Sequence, residues 1–275
     1  MSFIHHDELV LSIDRTEWDF GKTQINILCV IVNIGKMGIP LYFEMLDNKS
    51  GNSNWQNRID LLTSLIKKVD KSRIALVVMD REFIGAKWLT WLKSESIPFC
   101  VRVPKHHKIT FSDGTRLTAE QLLEDRKSFY AKDVFVDCIR TNVAIKYDKN
   151  GDLLYLIGTA KPTELMEQYR KRWSIEVFFQ ALKGRGFRLK DSCLRSIEKY
   201  RKLFAVVSMA YTICWAMGIQ DGKTNPVKVK KHGYPQYSVF RRGLNLMREF
   251  YKDKINEHFD KIIEIAFRRL DMLII

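Results

Sequence analysis

Short apolar runs rich in β-branched residues open the chain. LVLSID (9–14), INILCVIVNI (25–34) and PLYFEML (40–46) are separated by GK and KMG, a spacing that predicts a three-strand meander. The pattern then changes period. From Asn54 to Val69, the apolar positions Ile59, Leu62, Leu65, Ile66 and Val69 fall on one helical face. IALVVMD (74–80) returns to strand character, IGAKWLTWLKSES (84–96) reads as a second helix, and IPFCVRV (97–103) as another strand. The order βββαβαβ implies an α/β fold, a mixed sheet with helices on its faces.

Residues 104–152 carry short β-like pieces, KITF and VFVDCIRTNVAIKY, with turn signals at SDG and DKNGD, and read as an inserted antiparallel β-unit. LLYLIGT (153–159) is the returning strand, and Pro162 stands where a helix can start. The stretch YRKRWSIEVFFQALKGRGF (169–187) is expected to be one helix, and the chain beyond Lys190 to be mainly helical, with a basic loop near GKTNPVKVKKHGYPQ. These boundaries divide the chain into 1–103 and 153–220 as two parts of one core, 104–152 as the insertion, and 221–275 as a basic helical end. LFAVVSMAYTICWAMGI (203–219) is at the short limit for a bilayer span and contains Ser, Thr and Tyr, so a buried core helix is preferred and no membrane is expected.

Charge adds a partner. The formal charge is +14, but residues 1–160 carry 22 basic and 20 acidic side chains, whereas residues 161–275 carry 24 and 12. A positive field concentrated in the C-terminal part points to a polyanion. The five scattered cysteines show no metal-ligand spacing and read as reduced thiols of a cytoplasmic protein. The first ten residues have no signal-peptide pattern.

The helix 169–187 holds one acid among basic residues. With each residue advancing about 100°, Tyr169, Arg172, Glu176 and Lys183 share a sector of about 60°, beside an apolar stripe of Ile175, Phe178, Phe179 and Leu182. Glu176 alone reads as a solvated acid paired with Arg172 or Gln180. Asp14 and Asp80 change its weight: each ends an apolar strand and is followed by Arg. Either alone is an ordinary turn former. Together with Glu176 they make a candidate three-carboxylate site, whose mutual repulsion calls for a cation and whose hard oxygens suit Mg²⁺ or Mn²⁺. Two such ions suit phosphodiester chemistry.

The set Asp14 (SIDRTEW), Asp80 (MDREF) and the helix pattern Y-(2)-R-(3)-E-(6)-K, filled by Tyr169, Arg172, Glu176 and Lys183, closely resembles the bacterial DDE transposases of insertion sequence family 4. The resemblance runs from about residue 9 to residue 220. It implies an RNase H-like fold, with residues 104–152 as the β-strand insertion of that family. It further implies that Asp14, Asp80 and Glu176 bind two divalent ions, and that Tyr169, Arg172 and Lys183 hold phosphates of double-stranded DNA. The expected chemistry is nicking by water at a transposon end, then strand transfer by the 3′-hydroxyl, in a homodimer with two DNA ends at the bacterial nucleoid.

Weaker candidates surround this set. Arg15, Thr16, Arg81 and Glu82 either orient the acids or pair locally. Trp173 either stacks on DNA or packs against a neighbour, and Tyr155 is the nearest aromatic on the preceding strand to receive a flipped base. KTNPVKVKKHGY and FRRGLNLMR read either as backbone contacts or as solvated basic segments. Only 13 residues precede Asp14, too few for the N-terminal DNA-binding region of the family, so a truncated or degenerate copy is expected. Two other classes stay open: a non-catalytic DNA-binding regulator of transposition, and an RNase H-like nuclease.

Overall fold

A computed structural model describes residues 8–20, 23–46, 51–124, 126–192, 194, 196–231 and 233–253. They divide into two compact units. The first comprises Glu8–Trp18 and Gln24–Glu176; the second is built chiefly from Val177 onward.

In chain order the strands and helices of the first unit are β1 (Leu9–Phe20), β2 (Thr23–Ile34), β3 (Met37–Leu46), α1 (Trp55–Ile66), β4 (Ile74–Met79), α2 (Ala86–Ser94) and β5 (Phe99–Arg102). There follow β6 (Lys108–Thr110), β7 (Arg116–Thr118), α3 (Ala119–Leu123), β8 (Ser128–Val136), β9 (Ile139–Tyr147), β10 (Leu153–Gly158) and α4 (Leu165–Arg170). One ten-stranded sheet runs β3-β2-β1-β4-β5-β10-β9-β8-β6-β7. Strands β1, β4 and β5 are parallel, and the β2–β3 and β10–β9 pairs are antiparallel. The expected mixed sheet with flanking helices, the β-rich insertion and the helical C-terminal part are present.

The insertion is antiparallel, as anticipated, but it extends the main sheet: β9 pairs along the whole of β10. An exposed edge on β10 would leave a row of unpaired backbone groups, and the hairpin β8–β9 covers it.

Alternation along β4 sorts the helices to opposite faces. Leu76 and Val78 join Cys100, Ala144, Leu156 and Leu165 in a core beneath α4, with the Tyr169 ring packed against it. Met79 points the other way, where the Trp88 indole of α2 donates to its sulfur at 3.2 Å. Helix α1 starts at a reciprocal cap: Asn54 accepts from the Asn57 backbone, and the Asn57 side chain accepts from Asn54. It buries Leu61, Leu62 and Leu65 completely.

The second unit contains most of α5 (Trp173–Leu182), whose first residues through Glu176 belong to the first unit, together with α6 (Ile197–Thr224) and α7 (Val239–Asp253). Rings of Phe178, Phe204, Tyr211 and Phe240 form its core, with Phe178 and Tyr211 centroids 5.0 Å apart. Helices α6 and α7 cross closely because position 243 is glycine: a Cβ there would lie 1.7 Å from the Cys214 carbonyl oxygen. The apolar stretch 203–219 lies within α6. That helix is long and apolar enough to cross a membrane, and half of its apolar window is buried in the protein. Cys29, Cys100 and Cys214 are buried free thiols and Cys138 an exposed one; Cys193 lies outside the described residues.

Candidate acidic site

The parallel pairing of β1 with β4 ends at Ile13↔Met79, so Asp14 and Asp80 are the next residues on neighbouring strands. Both continue the face that carries α4: Asp80 follows Val78, and Asp14 follows Val10 and Ser12, at a period of two. Asp80 ends its strand as expected and caps a short 3₁₀ turn, accepting from the Arg81 N–H at 2.8 Å. Asp14 does not. Strand β1 continues to Phe20, and Asp14 lies within it, with Oδ1 accepting from the Arg15 N–H at 2.8 Å.

The stretch expected as a single helix is two. Helix α4 ends at Arg170, and α5 begins at Trp173. Between them the backbone tightens to three-residue bonds: Lys171 N–H donates to Gln168 at 3.1 Å, and Arg172 N–H to Tyr169 at 3.0 Å. Tyr169, Arg172 and Glu176 nevertheless converge on the two aspartates. The Tyr169 hydroxyl donates to Asp80 Oδ1 at 3.0 Å. The Arg172 guanidinium donates to Asp14 Oδ2 at 3.1 Å and to Glu176 Oε1, and lies 3.9 Å from Asp80 Oδ2. It also sits over the Tyr169 ring, 5.4 Å from its centroid. One cation thus touches all three carboxylates.

Burial sets the electrostatics. It pushes the Asp14 carboxyl up to about 7, against the Arg172 charge and the Arg15 backbone bond; Glu82 and Asp80 add to the rise. Burial pulls Arg172 down, but Tyr169, Asp80, Asp14 and Glu176 outweigh it and hold the guanidinium above its ordinary range. The Tyr169 phenol is pushed up, chiefly by burial, and stays a donor.

Among the described residues, no three His, Cys, Asp or Glu side chains stand together in a metal-holding arrangement. The Arg172 guanidinium lies between the three carboxylates. The donor set itself fits a hard divalent ion, since three carboxylates on one face, one of them buried enough to resist ionisation, require positive charge from some source.

The remaining candidates separate. Lys183 is exposed just past the end of α5 and belongs to the second unit. Trp173 is 60% exposed, so it is not packed away. Tyr155 is fully buried, and its hydroxyl has no hydrogen-bond partner among the described residues. It lies on β10 between β5 and β9, and its buried side chain leaves no exposed ring for a base. Arg15 pairs locally, with Glu17 at 2.8 Å and Glu82 at 3.3 Å, and also reaches Asn26. Thr16 is buried, and Arg81 is exposed. The basic segments KTNPVKVKKHGY and FRRGLNLMR lie in the second unit, as a loop and within α7; His232 is outside the described residues.

Sequence reasoning missed what anchors α5. The Ser174 hydroxyl, buried between Arg172 and Glu176, donates to Asn33 Oδ1 on β2. The Asn33 amide in turn donates to Ser12 Oγ at 2.8 Å and to the Val10 carbonyl at 3.2 Å. Gly38 on β3 makes room, since a Cβ there would lie 3.1 Å from the Ser174 carbonyl oxygen. The available signal was a small hydroxyl beside the apolar stripe of the helix.

The chain is similar in structure to a piggyBac transposase in a synaptic complex with hairpin DNA, with 13% identity and a TM-score of 0.45 over 94% of this chain and 56% of that one. It thus spans little more than half of that protein. Endonuclease V from Bacillus subtilis gives 10% identity and a TM-score of 0.32, covering 63% of this chain and 82% of that one. Argonaute from Marinitoga piezophila with a 5′ OH guide RNA gives 14% and 0.27, covering 59% and 25%. Likenesses this low bear on neither function nor residue roles. No curated protein matches the chain. The transposase DDE domain family matches residues 5–213, and the chain belongs to that family.

Proposed function

We propose that this chain is the catalytic region of a transposase of insertion sequence family 4, cutting and joining DNA at transposon ends by metal-dependent phosphoryl transfer. The supporting observation is the convergence of Asp14, Asp80 and Glu176 on one guanidinium, just past the point where the β1–β4 pairing ends.

Asp14, Asp80 and Glu176 would hold two Mg²⁺ or Mn²⁺ ions. When bound, such ions activate the attacking oxygen and stabilise the leaving one. The protein's part is positioning and charge balance. Tyr169 fixes the Asp80 carboxylate through its hydroxyl, and the Ser174–Asn33 contact fixes the start of α5, from which Glu176 projects. Arg172 stands in for the cation in the free protein and turns to DNA phosphate in the complex, and Trp173 and Lys183 are further DNA contacts of the proposal, each on its own unit. In the first reaction, water forms a bond to phosphorus and the 3′ oxygen leaves as a hydroxyl. In the second, that hydroxyl attacks another phosphodiester and displaces a strand. A homodimer engaging two DNA ends completes the proposal.

Supercoiled plasmid carrying the gene's own flanking DNA tests it. Nicking in Mg²⁺ is expected, and its loss in Glu176→Gln; nicking that survives Glu176→Gln overturns the assignment. A second reading has one observation in its favour: Arg172 already neutralises the acids. A non-catalytic regulator of transposition would bind the same DNA, and its biological effect would persist in Glu176→Gln.

A further inference from the structure

Beyond Asp80, two cavities adjoin on the insertion and the strands beside it. The first, about 320 Å³, is lined by Arg81, Arg102, Lys105, Glu120, Tyr147 and Asp152, among others. The second, about 460 Å³, is lined by Arg126, Lys127, Ser128, Tyr130, Lys146 and Tyr147. Tyr147 lines both, so the two are neighbours, and the track they make includes Arg81, the residue after Asp80.

Three features mark this track. It gathers six cations against two acids, in a part of the chain whose charges nearly balance. Arg102 is tied to the Leu153 carbonyl and Lys105 to Glu120, but Arg81, Arg126, Lys127 and Lys146 make no ion pair among the described residues. Tyr130 and Tyr147, large rings that folding normally covers, stay 43% and 44% exposed among these cations. In the β8–β9 ladder Ser128 pairs with Lys146 and Tyr130 with Ala144, so Tyr130 shares a face with Lys146, while Tyr147 ends β9 on the other face.

Cations alone suit a duplex backbone, which is met by charge. Exposed aromatic faces inside concave, cation-lined pockets suit bases that are free to stack. We propose that this track binds an unpaired DNA strand leaving the acidic site, with phosphates on Arg81 and Lys127 and a base on Tyr147. The proposal rests on the transposase reading for its substrate, but not on catalysis.

The test uses the full chain and fluorescence anisotropy in Ca²⁺-free buffer with EDTA. Its probes are a blunt duplex and the same duplex with a single-stranded tail, of either polarity. The tailed probe is expected to bind more tightly. Tyr147→Ala is expected to weaken it by at least about five-fold, as loss of one stacked base predicts, while Tyr147→Phe and the blunt probe change little. Lys127→Ala should lower the salt slope for the tail by about 0.7, the value for one single-strand phosphate. Equal losses on both probes would make this a duplex surface and overturn the proposal, as would no preference for the tail in the unaltered chain. A chain that never nicks yet keeps the Tyr147-dependent preference would retire the catalytic reading and leave this one standing; nicking without that preference would do the reverse.

Discussion

Replacing Arg172 by methionine removes the guanidinium that bridges all three acids while keeping much of its apolar stem. The affected pair is not a solvated bridge: the Arg172 and Asp14 side chains are 11% and 17% exposed. Breaking a pair this buried from one side costs about 3–5 kcal/mol. Part returns, because Arg172 Nε is buried without a hydrogen-bond partner among the described residues, and releasing such a group is worth about 1–3 kcal/mol. The net expectation is a loss of about 2 kcal/mol, or roughly 5 °C in melting temperature for a domain of this size. Circular dichroism melts in EDTA and in Mg²⁺ measure it. The gap should narrow in Mg²⁺, because the variant keeps its carboxylates without a competing cation, and saturating ligand at about 100 times Kd adds about 2.7 kcal/mol. A variant that melts with the parent in EDTA, or a gap that widens with Mg²⁺, refutes the reasoning.

Two further substitutions probe the support of the site. Ser174→Ala removes the hydroxyl donated to Asn33, and since Ser12 also contacts that oxygen at 3.3 Å, the cost should stay near 1 kcal/mol in urea unfolding; Mn²⁺ affinity should fall with it, and unchanged affinity would show that the anchor does not serve the acids. Tyr155→Phe deletes a buried hydroxyl that has no partner among the described residues, so stability should hold within about 0.5 kcal/mol or rise, with DNA binding unaltered; weakened DNA binding in anisotropy would restore Tyr155 as a contact.

The parts of the fold that were legible in sequence had a clean period. Strands β1 to β5 and helices α1 and α2 announce themselves by apolar spacing, and Asp80 was placed correctly because its strand does end there. Asp14 was misjudged as a strand end, since the polar residues after it do not stop β1. The helix wheel brought Tyr169, Arg172 and Glu176 together for an incomplete reason. It assumed about 100° per residue, whereas the bonds at Lys171 and Arg172 make a tighter turn between two helices. Convergence survives because long side chains reach a common point from either backbone. The Ser174–Asn33–Ser12 contacts were hidden, since they join residues 141 and 21 positions apart and no local pattern encodes such pairs. The burial of Tyr155 was not legible either, since it depends on what packs on that face of the sheet, which no local pattern in LLYLIGT encodes.

The central claim is that Asp14, Asp80 and Glu176 form one divalent-metal site, and anomalous scattering from crystals of the chain soaked in Mn²⁺ tests it most directly. The account predicts Mn²⁺ peaks within coordination distance of all three carboxylates, with Arg172 displaced from between them, and no such peaks in Asp80→Ala. Mn²⁺ bound elsewhere, or Arg172 still bridging the three acids at saturating Mn²⁺, would contradict it.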